Sequence, residues 1–121
     1  MITSFDNNTP IYIQIVENIK MEIISGKLKC GDRIQPVREL ALTAKVNPNT
    51  MQKALVELEN QKLIHTESTN GRYVTNDIST INKLKTEFIE KKMKNLINDM
   101  KNIGITSKEV IEYLQNIDKE K

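Results

Sequence analysis

Residues 36–58 read PVRELALTAKVNPNTMQKALVEL, and two short amphipathic segments within them are joined by about three residues. The proline that opens this run favours extended backbone before it, so the first helix is predicted to take Gln35 as its N-cap and to end near Ala44. Asn47 is a strong N-cap residue and Pro48 suits the first helical position, so the second helix is predicted to start there. Two helices connected this tightly indicate a helix-turn-helix.

The segments on either side of this unit complete a winged fold. Upstream, a helix is predicted from Thr9 as its N-cap to a stop at Gly26, because isoleucine recurs there at every fourth position. Downstream, the β-prone runs 63–66 and 72–75 flank an Asn-Gly dipeptide, which is a strong signal for a β-hairpin. Three helices followed by a hairpin are typical of a winged helix-turn-helix.

The rest of the chain is predicted to form two helices. From Ile78 the apolar pattern indicates one long helix through about Asn102, which Gly104 ends. Thr106 and Glu109 form a capping-box pattern, which predicts the start of a last helix. These two helices are expected to form a helical hairpin.

The fold is therefore predicted to be mainly α with a small β-hairpin wing. We expect a winged helix-turn-helix domain over residues 1–77 and a helical-hairpin dimerisation domain over residues 78–121. Two helices cannot hide from each other all the apolar side chains of this second domain, so we expect two chains to pair through it. The alternative is a monomer whose long helix folds back across the winged domain. The side chains expected at the dimer interface are Leu84, Phe88, Met93, Leu96, Ile97, Met100 and Leu114.

Composition excludes several classes of protein. At 121 residues the chain is too short for most large enzyme scaffolds. One cysteine and one histidine are too few for a structural zinc site, which needs about four ligands, or for an internal disulfide. No acid–base pair or nucleophile accompanies His65, so no catalytic residue, metal or cofactor is predicted. No apolar run approaches the ~18 residues of a membrane span and no signal-peptide pattern is present, so we expect a cytoplasmic protein without a membrane partner.

Positive charge is concentrated around the helix-turn-helix. The whole chain has a net charge of only +2, whereas residues 27–56 hold six Lys or Arg against two Asp or Glu. Neutralising phosphates supplies much of the affinity of a protein for DNA, so this local excess indicates a surface that lies along double-stranded DNA. The alternative is a solvated basic face with no partner.

The polar residues that open the second helix of the motif are candidates for base contacts. The N-terminal residues of such a recognition helix enter the major groove. Asn49 and Gln52 suit the edge of adenine, and Lys53 suits guanine. Thr50 can touch a base methyl group or a phosphate. Asn47 belongs to the candidate set, although helix capping explains it more simply.

Arg38 and the wing provide candidate contacts to the rest of the duplex. Arg38 lies in the opening turn of the preceding helix, where a guanidinium and a helix N-terminus together suit a phosphate. Gly71 and Arg72 at the wing tip are predicted to enter the minor groove, because glycine allows the backbone to approach closely. The alternative is that the glycine serves only to turn the hairpin.

The chain carries PIYIQI at 10–15, GKL at 26–28, GDRI at 31–34, VRELA at 37–41, VNPNT at 46–50 and ALVELE at 54–59. In this order the motifs resemble the successive signatures of GntR-family transcriptional regulators. The short two-helix C-terminal part is similar to the YtrA subfamily, whose members are dimeric repressors often encoded beside ABC transporter genes. The resemblance implies DNA contacts at Arg38, Asn49, Thr50, Gln52 or Lys53, and Gly71.

The sequence departs from the family pattern in several places. Gln35-Pro36 replaces the serine that caps a helix and contacts phosphate in relatives, and Gln52 replaces an arginine. Lys62 replaces a glycine at a helix end, which costs on the order of 1 kcal/mol if that residue is left-handed. Thr69 replaces the first of two wing glycines. These differences leave the architecture intact, but they make the operator unpredictable from relatives.

Together these features predict a sequence-specific DNA-binding transcriptional regulator, a homodimeric repressor that reads a palindromic operator. A winged-helix module that binds proteins rather than DNA is the alternative, and an enzyme is not expected. Any small-molecule effector is expected to bind at the dimer interface or between the domains and to change the spacing of the recognition helices. No residue is a candidate contact for it.

Overall fold

The structure is a computed structural model that describes residues 5–68 and 70–120. Over these residues it contains five α-helices and one two-stranded antiparallel sheet. In chain order the elements are α1 (Ile11–Ile24), α2 (Val37–Ala44), α3 (Pro48–Asn60), β1 (Ile64–Glu67), β2 (Gly71–Val74), α4 (Ile78–Asn102) and α5 (Ser107–Lys119). The predicted mainly helical fold, with a hairpin wing and two C-terminal helices, is confirmed. Thr69, singled out as a departure in the wing, lies outside the described residues.

The chain divides into two compact units, one ending at Leu84 and the other beginning at Lys85. This division falls inside α4, whereas the predicted domain boundary lies at its start, between residues 77 and 78. Ile81 and Leu84 explain the difference, because both side chains are partly buried against the apolar core of the first unit. The first turns of α4 therefore belong with the winged fold.

The core of the first unit is built around α3, which packs against α1, α2 and β1. Apolar residues three and four positions apart on each helix face inward, as their spacing predicts. Every buried side chain within residues 5–68 and 70–120 is apolar: Ile15, Val16, Ile19, Ile23, Ile34, Leu40, Ala41, Ala44, Met51, Ala54, Leu55, Leu58, Leu63, Ile64 and Val74. This core fixes the rotation of α3 about its axis, and so determines which of its residues face outward.

Two predicted helix caps are wrong. Thr9 and Gln35 do not cap helices, because the N-cap residues of α1 and α2 are Pro10 and Pro36, neither of which makes a side-chain capping bond. Each proline is extended, with ψ of 139° and 151°, and the Pro10 carbonyl accepts the N–H of Gln14 at 3.3 Å. The sequence does not separate the N-cap from the first helical position, since proline has the same φ at both and only ψ differs.

The other predicted helix ends are confirmed. Asn47 caps α3, and its side-chain oxygen accepts the N–H of Asn49 at 2.8 Å. Thr106 and Glu109 form the capping box of α5, in which each side chain accepts the backbone N–H of the other residue. Gly104 follows α4 with a φ of 81°, a left-handed conformation that favours glycine.

The wing is a hairpin with a one-residue bridge beside it. β1 and β2 pair in antiparallel register, with Glu67 opposite Gly71. On the other side of β2, Arg33 forms an isolated bridge with Tyr73. Each strand is shifted by one residue toward the turn relative to its predicted bounds. The reason is that Glu67 and Gly71, predicted to lie in the turn, pair with each other.

A left-handed lysine follows the end of α3. Lys62 has a φ of 63°, and its N–H donates to the Glu59 carbonyl at 2.9 Å. The N–H of Leu63 donates to the Leu58 carbonyl at 3.1 Å, which completes the Schellman arrangement in which glycine is preferred. Leu58 and Leu63 are both buried, so packing holds the chain in a turn that lysine disfavours.

Lys62→Gly is expected to raise the free energy of unfolding by about 1 kcal/mol, because glycine has no Cβ to crowd a left-handed backbone. Urea unfolding followed by circular dichroism measures the change. Gln61→Gly is the matched control: Gln61 has a φ of −83°, so glycine relieves nothing there and is expected to lower stability. A Lys62→Gly protein no more stable than the wild type would contradict this account.

The second unit, which comprises α4 beyond Leu84 and α5, carries apolar side chains on its surface. None of the described residues in either helix is buried. The exposed fractions of representative side chains are 47% for Met93, 41% for Ile97, 46% for Leu114 and 52% for Ile117. Exposed apolar residues repeated along two helices are typical of a surface that another molecule covers.

Candidate nucleic-acid interface

The opening turns of α3 present polar side chains over a buried apolar anchor. Asn49, Gln52 and Lys53 are exposed, and Thr50 is half-buried. Met51, between them, is fully buried. At 3.6 residues per turn the four polar positions fall on one side of the helix, opposite this anchor. The structure thus brings the predicted base-contacting residues together on one outward surface.

Lys53 is held by an aromatic ring from α1. Its Nζ atom lies 4.2 Å from the centroid of the Tyr12 ring, a cation–π contact. Tyr12 is itself half-buried against the core of the first unit. The contact gives direction to a lysine side chain that would otherwise be flexible.

Arg38 is exposed at the second position of α2. The N-cap residue, Pro36, supplies no side-chain hydrogen bond, so no side chain caps the first N–H groups of α2. Free N–H groups at a helix N-terminus favour anions. Within the described residues the Arg38 guanidinium forms no ion pair, so both features are available to the same anion.

Asn47 has a structural role at its side-chain oxygen, which is occupied by the cap of α3. Its amide nitrogen remains on an exposed residue beside Asn49 and Thr50. The simpler of the two interpretations of Asn47, helix capping, therefore accounts for the observed hydrogen bond.

Arg72 lies apart from this surface. Its Nε atom donates to the Glu59 carboxylate, to which the Thr66 hydroxyl also donates at 3.0 Å. Thr66 and Arg72 are opposite each other in the hairpin register, on the face that meets α3. Gly71, next to Arg72, has a φ of 98°, so the backbone conformation alone calls for glycine there.

Arg33 is a basic residue of the wing that the sequence did not single out as a candidate site residue. It is exposed, and its Nε atom lies 3.4 Å from the position that a Cβ would take on Gly71. The neighbouring Ile34 is buried, and successive residues of an extended chain point to opposite faces. An arginine beside an inward-facing isoleucine is therefore the sequence signal that could have identified Arg33 as an exposed basic residue of the wing.

The described residues contain neither a metal cluster nor a membrane span. Within residues 5–68 and 70–120, no three His, Cys, Asp or Glu side chains lie close enough together to hold a metal ion. Cys30 is a free, exposed thiol. In the same part of the chain, no helix combines the length and the apolar character needed to cross a membrane.

The sequence is similar to those of known bacterial regulators. The family model described as "Bacterial regulatory proteins, gntR family" matches residues 11–74. The HTH-type transcriptional repressor YtrA of Bacillus subtilis (strain 168) is 36% identical over 112 residues, which are 92% of this chain and 86% of that protein. The HTH-type transcriptional regulator YhcF of the same organism is 30% identical over 115 residues, 95% of each chain.

A solved structure shows the same likeness in three dimensions. A GntR family transcriptional regulator from Listeria monocytogenes superposes with a TM-score of 0.86 and is 38% identical, over 93% of this chain and 98% of that one. The matches extend through the C-terminal helices, and the predicted YtrA-like resemblance is confirmed. Regulators of this family are DNA-binding proteins without enzymatic activity, so the prediction that the chain is not an enzyme is confirmed as well. The chain therefore belongs to the gntR family of bacterial regulatory proteins and is a DNA-binding transcriptional regulator.

Proposed function

We propose that the protein is a cytoplasmic, homodimeric repressor in which each α3 enters one major groove of a palindromic operator. The observation that carries this proposal is the outward group of polar side chains over the buried Met51, at the end of α3 that a helix-turn-helix presents to DNA. YtrA of Bacillus subtilis is a repressor 36% identical to this chain, which supports repression rather than activation.

The proposed interface divides into base contacts and phosphate contacts. Asn49 and Gln52 each suit adenine N6 and N7, a pairing that discriminates against a wrong base by about 1–3 kcal/mol. Lys53 suits guanine, and its cation–π contact with the Tyr12 ring orients its side chain. Arg38 and the N-terminus of α2 suit a backbone phosphate, which positions α3 but carries no sequence information.

The proposed partner of the second unit is a second copy of this chain. A palindromic site has two-fold symmetry, and a two-fold dimer buries the same surface on both copies. Leu84 is left out of this interface because it packs against the core of its own winged unit. The remaining predicted residues are exposed or half-buried: Phe88, Met93, Leu96, Ile97, Met100 and Leu114.

Regulation of such a repressor acts on the pairing of its two copies. An effector changes DNA affinity only if it binds one arrangement of the dimer more tightly than another. The pairing of the second units sets the spacing of the two recognition helices in this proposal, so the dimer interface is the proposed site of a small-molecule effector.

Selection of bound fragments from a random DNA library at about 0.15 M salt tests the proposed function. Enrichment of an inverted repeat is the expected result, because two identical readers related by a two-fold axis select two related half-sites. Recovery of fragments with no shared sequence counts against operator recognition. Enrichment of a single half-site without its inverted copy counts against the proposed dimeric reading of a palindrome.

A further inference from the structure

We propose that Arg33 is the phosphate-binding residue of the wing, and that it extends the DNA contact surface beyond α2 and α3. This inference rests on the proposed function, in which α3 is the helix that faces the duplex. The residue that the sequence favours for the wing is instead Arg72. The two arginines differ in the face of the hairpin on which they lie and in the groups that surround them.

The backbone of Arg33 is fixed by the bridge to β2. The N–H of Ile34 donates to the Arg72 carbonyl at 2.8 Å, and the N–H of Val74 donates to the Asp32 carbonyl at 2.8 Å. With Ile34 buried on one side, the Arg33 side chain emerges on the other, solvent-facing side. The backbone position from which the Arg33 side chain extends is therefore held to the hairpin by hydrogen bonds on both sides.

The Arg33 side chain extends toward the tip of the wing. Its bridge partner is Tyr73, yet its guanidinium lies beside Gly71, two residues nearer the hairpin loop. The Nε and Nη2 atoms are 3.4 and 3.5 Å from the position of a Cβ on Gly71, which is ordinary van der Waals contact. The space left by the missing side chain is thus lined by a guanidinium.

The charged groups near Arg33 are engaged elsewhere. The Asp32 carboxylate accepts the N–H of Lys29 at 2.8 Å. Glu67, opposite Gly71 in the register, contacts the Nε2 atom of His65 at 3.0 Å. Within the described residues Arg33 takes part in no ion pair, so its guanidinium keeps its donors for a ligand.

Arg72, by contrast, is committed to the protein. Its guanidinium lies on the opposite face of β2, paired with the Glu59 carboxylate that also accepts the Thr66 hydroxyl. Only 21% of the Arg72 side chain is exposed. The pair with Glu59 occupies the Nε donor of Arg72 and holds its side chain against α3, whereas among the described residues every donor of the Arg33 guanidinium is available, which makes Arg33 the better phosphate ligand of the wing.

Next to a helix that faces DNA, a backbone phosphate is the ligand that suits this guanidinium. A planar guanidinium with free N–H groups matches the oxygens of a phosphate and binds it through charge-assisted hydrogen bonds. Such a contact adds affinity for every sequence alike and increases the salt dependence of binding.

The test measures the affinity of the full chain for a duplex enriched from a random library by the wild type, between about 0.05 and 0.2 M salt. Arg33→Gln is expected to reduce the slope of log affinity against log salt by about 0.9 for each wing, which is roughly fivefold in affinity at 0.15 M salt. Arg33→Lys keeps the charge and is expected to keep the slope. Lys108→Gln, which removes a positive charge from α5, is the matched control and is expected to behave like the wild type.

The possible outcomes separate this inference from the proposed function. A wild-type slope in Arg33→Gln, with strong binding retained, overturns the role of Arg33 and leaves operator binding intact. A reduced slope in Arg72→Gln but not in Arg33→Gln assigns the wing contact to Arg72 and also overturns the inference. A wild-type chain that enriches no duplex at all contradicts the proposed function instead.

Discussion

Arg38→Ala is expected to weaken binding of the dimer to the selected operator by at least about 100-fold. A hydrogen bond between charged groups contributes about 1.5–3 kcal/mol, or roughly 10- to 150-fold per subunit, and a dimer loses this contact twice. The loss is expected to be similar for every operator variant, because a phosphate contact carries no base information. Fluorescence anisotropy with labelled duplexes at one fixed salt concentration measures it.

Two further variants separate this effect from loss of folding or of net charge. Arg38 is exposed, so Arg38→Ala is expected to change the free energy of unfolding by less than about 0.5 kcal/mol. Lys108→Ala removes the same charge from the start of α5 and is expected to leave operator affinity nearly unchanged. Equal losses in the two variants would mean that Arg38 acts only through net charge, which is the outcome expected of a basic face without a specific DNA contact.

Elements defined by neighbouring residues could be predicted from the sequence. Asn47 and Pro48 define the start of α3 from two adjacent positions, and Thr106 with Glu109 defines the start of α5 within one turn. The outward face of α3 could be predicted for the same reason. Once the apolar spacing requires Met51 to face inward, the polar residues around it face outward.

Features that depend on residues far apart in the chain could not be predicted. Arg72 and Glu59 are separated by 13 positions, and only the packing of the hairpin against α3 brings their charges together. Leu84 shows the same limit in α4. Its spacing matches that of Phe88 and Leu96 farther along the helix, so periodicity alone does not show that Leu84 contacts the core of the first unit.

The full chain with Leu114→Asp and Ile117→Asp is expected to sediment as a monomer of 13.9 kDa. Both side chains lie on the apolar face of α5 and are about half exposed in a single chain, at 46% and 52%. The substitutions therefore leave the interior of one chain unchanged but place two carboxylates in the proposed interface, where burial of an unpaired charge is strongly unfavourable. Affinity for a two-half-site duplex is expected to fall at least about 100-fold, because linked binding of two readers is lost.

Asn116→Asp is the control for this pair, since it adds a carboxylate to the opposite, polar face of α5 and is expected to remain dimeric. Affinity for a duplex with one half-site provides a second control. The variant with Leu114→Asp and Ile117→Asp is expected to bind that duplex like the wild type, because α3 and Arg38 are unaltered in each copy. A variant that stays dimeric in sedimentation would exclude this face of α5 from the interface. A monomeric variant that still binds the two-half-site duplex as tightly as the wild type would show that pairing contributes nothing to operator recognition, and the spacing of the two recognition helices would then have no role in regulation.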